Sequence, residues 1–168
     1  MMRWLLLALA LMLAGCGEAE KLPALPPGSV VLALGDSLTA GAGVKSEQAW
    51  PALLAQRTGW QVINGGVNGN TSGDALQRLP ALLEEHRPAL VLVTLGGNDM
   101  LRRLPVQQLE DNLARLVVKS KSEGAQVVMV ATPQPSIAGA VLRNLAAPDF
   151  YRTVAESQQV ALIEDAIA

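Results

Sequence analysis

The sequence predicts an α/β protein of three-layer α/β/α architecture, and three observations predict it. Strand-like and helix-like segments alternate strictly from Ser29 onward. The strand-like runs are near-continuous Val, Leu, Ile and Ala, the composition of strands covered on both faces. With right-handed crossovers, such alternation builds a parallel sheet flanked by helices. At 168 residues and 50% hydrophobic, the chain suits one domain with a sizeable core.

Val30 to Leu34 forms the first strand. The segment from Gln48 to Thr58 places Trp50, Leu53, Leu54 and Arg57 at helical spacing, with Ser46 as N-cap and Gly59 as the stop. Pro51 sits in its first turn, where a missing N–H does no harm. Gln61 to Asn64 is a short second strand. After the loop Gly65–Asn70 comes a helix from about Ser72 to His86, which Pro80 is expected to interrupt and restart. Leu90 to Leu95, bounded by Pro88 and Gly96-Gly97, is the third strand. Val106, Leu109, Leu113, Leu116 and Val117 mark an amphipathic helix from Val106 to Glu123, closed by Gly124. Val127 to Ala131 is a fourth strand, about Pro148 to Gln158 a helix, and Val160 to Ile163 a fifth strand.

The N-terminus is organised differently. Arg3 supplies a positive charge, and the apolar run from Trp4 to Ala14 is shorter than the ~20 residues of a membrane span but fits the core of a secretory signal. Leu13-Ala14-Gly15-Cys16 resembles the lipobox of bacterial lipoproteins, and Cys16 is the only cysteine in the chain. On that resemblance residues 1–15 are a signal peptide and Cys16 carries a lipid. Gly17, in place of an aspartate, points to the outer membrane, with the domain facing the periplasm. Residues 16–28, rich in Pro and Gly, read as a tether, and 29–168 as the folded domain. The net charge of −2 and the lack of a Lys/Arg cluster argue against a nucleic-acid partner, and 3% aromatics argue against an aromatic-lined groove. A nucleotide-binding doubly wound domain is disfavoured because no GxGxxG or GxxxxGK[ST] follows a strand.

In parallel sheets of this kind, ligands bind at the carboxyl ends of the strands. Three loops leave those ends: Gly35-Asp36-Ser37, the Gly/Asn loop Gly65–Asn70, and Gly96-Gly97-Asn98-Asp99. Singly, each has a plain structural reading. Asp36 or Ser37 can cap a helix, the glycines can allow a turn, and Asn98-Asp99 can cap the next helix. Together they supply what acyl transfer needs, a nucleophilic hydroxyl on Ser37 and donors for an oxyanion. Glycine backbone at Gly66 or Gly69 can bring an N–H close to substrate, and the Asn98 amide is a donor that does not titrate.

GDSL at Gly35–Leu38, NGGVNGNTS at Asn64–Ser72 and GGND at Gly96–Asp99 resemble the first three blocks of the GDSL (SGNH) hydrolases. AWPALLAQ (Ala49–Gln56) and RLPALLEEHRP (Arg78–Pro88) resemble the branch of secreted acyl-CoA thioesterases, lysophospholipases and arylesterases. The resemblance runs from Ser29 to about Asp165. It implies a flavodoxin-like sheet in the order 2-1-3-4-5. The implied chemistry is hydrolysis of esters or thioesters through an acyl-serine, with no metal or organic cofactor. Ser37 matches the nucleophile, whose own N–H also lines the oxyanion hole. Gly69 matches the oxyanion glycine, with Gly66 as an alternative, and Asn98 matches the oxyanion asparagine.

The family's fourth block, an Asp-x-x-His after the fifth strand, is not found in Glu164-Asp165-Ala166-Ile167-Ala168. The single histidine, His86, ends the second long helix, across a strand of about six residues at ~3.3 Å each from the carboxyl rim. That is roughly 20 Å, where a general base must stand within about 3 Å. Asp165 lies near the right rim, but without a histidine it restores no triad. The expectation is therefore a lipid-anchored ester hydrolase, C-terminally truncated, with the last helix absent, impaired activity and a marginal fold. The alternative is a non-catalytic lipoprotein whose α/β domain is a binding module. The stretch Met100–Leu104 is expected to border the acyl pocket, and Arg102 and Arg103 read equally well as surface charge.

Overall fold

The computed structural model describes residues 23–134 and 146–166, so the signal segment, Cys16 and most of the tether lie outside the described residues. β1 (Val30–Gly35) is followed by a single helical turn, α1 (Ser37–Ala40), and a 3-10 turn at Ser46–Gln48. Then come α2 (Trp50–Thr58), β2 (Gln61–Gly66), α3 (Ser72–His86), β3 (Leu90–Thr94) and a second short helix, α4 (Gly97–Leu101). α5 (Val106–Ser122), β4 (Gln126–Val130), α6 (Phe150–Gln158) and β5 (Ala161–Ile163) complete the order.

The five strands form one parallel sheet in the order β2-β1-β3-β4-β5, the order the family resemblance implies. Gly35 lies level with Gly66 of β2 and with Thr94 of β3. Three strands thus end on one line, and the loops after them open at the same rim.

Alternate residues of the central strands serve opposite faces, as the two-residue period of a strand requires. Leu32, Leu34, Val91, Val93, Val127 and Met129 face the main core, covered by α3, α5 and α6. Val31, Leu90, Leu92 and Val128 face the other way, against Leu25, Trp50, Leu54 and Trp60. Along that second face runs an apolar groove of about 600 Å³, floored by β3 and β4 and walled by Trp50, Leu54 and Trp60. This corrects the expectation of no aromatic-lined groove: the aromatics are few, but two of the three tryptophans are gathered on this one face.

Two local expectations are corrected. The second helix starts at Trp50, with Ala49 as its N-cap, and Ser46 opens a separate 3-10 turn. Pro51 explains this: a helix begun at Gln48 would put the proline in its second turn, where the missing N–H breaks a bond. Pro80 does not interrupt α3, which runs unbroken from Ser72 to His86. Its apolar face, Ala75, Leu79 and Leu83, is buried against the core, and that packing outweighs one lost backbone bond. The helix start is fixed by a reciprocal capping box. Thr71 Oγ1 accepts the Asp74 N–H at 3.2 Å, and the Asp74 carboxylate accepts the Thr71 N–H at 2.9 Å.

Candidate active site

β1 delivers Gly35 to the rim, Asp36 turns the chain, and Ser37 opens α1, half-buried at the edge of the sheet. Asp36 is a helix cap, since its Oδ1 accepts the Leu38 N–H at 2.9 Å. The cap and the candidate nucleophile are therefore neighbours with separate tasks, not competing readings of one motif.

Asn98, in the short helix after β3, brings the three loops together. Its Nδ2 donates to Asp36 Oδ2 at 3.1 Å and to the Asn70 carbonyl at 3.0 Å. One amide thus touches the residue before Ser37 and the residue after Gly69. Gly69 itself is in the left-handed region, at φ 76°, and its carbonyl accepts from Arg102 Nη2 at 2.7 Å. Gly66 is placed differently. Its N–H donates to Asn64 Oδ1 at 3.0 Å, and a Cβ there would collide with the backbone of Ala40. It serves the close approach of α1 to β2, with its donor already engaged.

Beneath the rim a buried polar chain locks the Asn98 turn to α3. Asp99 Oδ2 accepts the Ser72 N–H at 2.9 Å and its Oδ1 accepts the Ser72 hydroxyl at 2.6 Å. Asn112 of α5 donates to the same hydroxyl at 3.0 Å. A carboxylate at the first turn of α3 also sits favourably in the helix dipole. From the other side, buried Tyr151 donates to the Leu95 carbonyl at 2.7 Å, just ahead of Gly96.

The electrostatics follow from burial. Desolvation pushes Asp36 above the ordinary carboxylate value, partly offset by the Leu38 N–H, and the nearby Asp99 charge pushes in the same direction as burial. Asp74 is held below that value by the Thr71 N–H and hydroxyl, with Arg102 and Arg78 adding to the effect. Burial raises the Tyr151 phenol strongly, so it is a neutral donor at any ordinary pH.

His86 is the last residue of α3, before the amino end of β3 and so across the sheet from this rim, beside Glu85 with Nε2 3.8 Å from its carboxylate. Asp165 is exposed, two residues after β5. Cys16 lies outside the described residues. Met100 packs toward the main core and Leu101 is exposed, and neither they nor Arg102–Leu104 line the apolar groove. Among the described residues no group of three His, Cys, Asp or Glu could hold a metal ion. Sequence reasoning did not find the roles of Arg78, Arg102, Ser72, Asn112 and Tyr151. Only the Thr71–Asp74 capping box carried a local signal.

A doubly wound parallel sheet gathers a strand-end serine, a glycine turn and a side-chain amide at one rim, an arrangement that marks an α/β protein of hydrolase type. The chain belongs to the GDSL-like Lipase/Acylhydrolase family, which its residues 33–165 match, and is by family an ester hydrolase. It is 38% identical over 160 residues to Esterase TesA of Pseudomonas aeruginosa, covering 92% of this chain and 79% of that protein. It is 40% identical over 169 residues to an Arylesterase of Vibrio mimicus, covering 97% of this chain and 80% of that one. The crystal structure of TesA superposes with a TM-score of 0.71 at 38% identity, over 79% of this chain and 76% of that chain.

Proposed function

We propose that this protein hydrolyses carboxylic esters or thioesters through an acyl-serine on Ser37. The observation that carries the reading is the Asn98 amide, bonded at once to Asp36 beside Ser37 and to Asn70 beside Gly69. In the reaction the Ser37 oxygen attacks the acyl carbon. The carbonyl oxygen gathers negative charge against the N–H groups of Ser37 and Gly69 and the Asn98 amide. The alcohol or thiol then leaves with a proton, and water releases the acid. No metal or organic cofactor enters this scheme. Aryl esters, acyl-CoA thioesters and lysophospholipids are the substrate classes that the family resemblance and the two relatives' names together suggest.

Proton removal from Ser37 needs a base within about 3 Å. The 168 residues hold one histidine, at the far end of α3. His86 therefore does not supply that base, and the oxyanion donors on their own account for roughly 10³–10⁴-fold over water. Attachment to a membrane through a lipid on Cys16, on the periplasmic side of the outer membrane, is the second part of the reading. Its support is the Leu13–Cys16 motif behind an apolar signal run.

A fluorophosphonate probe and a p-nitrophenyl ester panel test the chemistry. Labelling and ester release that vanish in Ser37→Ala are expected. Labelling that persists in Ser37→Ala overturns the assignment. No labelling at all favours the second reading, a non-catalytic lipid-anchored α/β module. Fatty-acid incorporation in cells, lost in Cys16→Ser, tests the anchor, and incorporation that survives the substitution sinks it.

A further inference from the structure

Arg78 lies on α3, half-buried, with its side chain directed toward the rim. Its Nε donates to Asn70 Oδ1 at 2.8 Å and its Nη2 donates to the Gly35 carbonyl at 2.9 Å. Gly35 closes β1 and leads directly into Asp36-Ser37, while Asn70 follows Gly69. Both bonded acceptors are neutral, although the Asp74 carboxylate lies one helical turn away. Burial pulls the guanidinium's affinity for its proton down, opposed by Asp74. An arginine that gives up hydration to bind a carbonyl and an amide is arranged for geometry more than for charge pairing. The guanidinium is planar and rigid, so two acceptors on one fork are held in a fixed relation to each other.

We propose that Arg78 is a positioning residue that ties the Gly35–Ser37 turn to the Gly69–Asn70 loop, so that the Ser37 oxygen and the oxyanion donors face one point. The proposal rests on the acyl-serine reading above. The rest of the network explains why the fork matters. Asn98 holds Asn70 by its backbone carbonyl, and Arg102 holds Gly69 by its carbonyl, but neither bonds the Gly35 peptide. Val67, whose N–H donates to the Gly35 carbonyl at 3.2 Å, makes a second link there, at the point where the ladder between β1 and β2 ends. Removing Arg78 leaves the Gly35 carbonyl with the Val67 donor and leaves Asn70 Oδ1 at a partly exposed site. The fold therefore survives, with Asn98 and Val67 still bridging turn and loop, while the Gly35 end of the turn and the Asn70 side chain lose their shared rigid fork and the spacing of nucleophile and oxyanion loop is held less tightly. Misplacement of about 1 Å at a reacting centre can cost roughly a hundredfold in rate.

The test compares wild type with Arg78→Met and Arg78→Lys by saturation kinetics of fluorophosphonate labelling at Ser37, with melting curves alongside. The maximal labelling rate in Arg78→Met should fall about ten- to a hundredfold with probe affinity unchanged, and Arg78→Lys, which reaches one acceptor, should recover part of it. An unchanged maximal rate, or a loss equal in both variants that tracks the unfolded fraction, overturns the proposal. Amide hydrogen exchange supplies a readout independent of the chemistry. Exchange at Val67 and Asn70 should quicken at least about tenfold in Arg78→Met, while Leu92 and Val128 in the sheet are unmoved. Equal exchange at all four overturns the proposal even where the probe labels. Should wild type fail to label Ser37 while exchange responds as stated, the tie stands and the acyl-serine reading falls.

Discussion

Asn98 and Asp36, 62 positions apart in the chain, are joined by an amide-to-carboxylate hydrogen bond of 3.1 Å, and the same amide nitrogen donates to the Asn70 carbonyl at 3.0 Å. Both neighbours are acceptors, so the nitrogen and not the oxygen of the side chain must face them. An amide has two N–H groups, and here both are engaged. For Asn98 to serve an oxyanion as proposed, one of these two hydrogen bonds has to break. Under the proposed chemistry the donor is held at this rim before substrate arrives, and the neutral Asn70 carbonyl is the partner exchanged for a charged oxyanion.

Removing the donor should therefore cost stability as well as catalysis. Asn98→Ala leaves the buried Asp36 carboxylate and the Asn70 carbonyl each short of a partner, a loss of about 1–3 kcal/mol. Asn98→Asp should be worse at neutral pH, because a second carboxylate then faces both acceptors. Urea unfolding of the two variants checks the order, and the gap between them should close on acidification, as the introduced acid protonates. An Asn98→Asp variant as stable as Asn98→Ala at pH 7 contradicts the donor assignment.

The turn that carries Asn98 is braced from below by Tyr151. Its hydroxyl bonds the Leu95 carbonyl at 2.7 Å, and a Cβ on Gly96 would overlap that same hydroxyl. Gly96 also holds φ at 122°, where side chains are strained. Gly96→Ala should destabilise by about 2–4 kcal/mol from strain and overpacking together. Tyr151→Phe alone should cost roughly 1 kcal/mol for the lost bond. The double variant, lacking the offending oxygen, should be less destabilised than the sum of the two. Strict additivity in a thermal or urea double-mutant cycle would show that the hydroxyl is not what Gly96 makes room for.

The parts legible in the sequence are those with a repeating signal. β3 is a continuous apolar run, α5 repeats its apolar residues at helical spacing, and both lie within a residue of the predicted bounds. The convergence of three loops on one rim was legible too, because parallel strands all end on the same side. α1 and α4 were not, since one helical turn is too short to show a period. Nor was the continuity of α3 through Pro80, which depends on a buried face formed with α5. Arg102 reads equally well as surface charge, and Arg78 carries no role of its own in the sequence, because the carbonyls they bond, Gly69 and Gly35, are remote from them in the chain. A backbone carbonyl such as that of Gly35 or Gly69 carries no mark in the sequence. Ser72, Asp99 and Asn112 form one buried network from three separate helices, and no local spacing links them.

Asp74 and Asp36 pull the pH dependence of stability in opposite directions. The Thr71 N–H and hydroxyl hold Asp74 below the ordinary carboxylate value, so the folded state prefers it ionised. Its contribution is complete above that ordinary value and is lost as pH falls through it toward the lowered one. Burial raises Asp36, so the folded state prefers it protonated. Its cost is absent at low pH and grows as pH rises from the ordinary value through the raised one. Asp74→Asn should thus destabilise at pH 7 by about 0.5–1 kcal/mol, the low end for a capping contact because the carboxylate is screened by solvent. That deficit should shrink as pH falls below the carboxylate range. Asp36→Asn should show the reverse slope, gaining on wild type as pH rises across its window. Urea unfolding of both variants between pH 3 and pH 7 is the measurement. A deficit in Asp74→Asn that stays constant or widens on acidification would mean that the capping bonds do not depend on its charge.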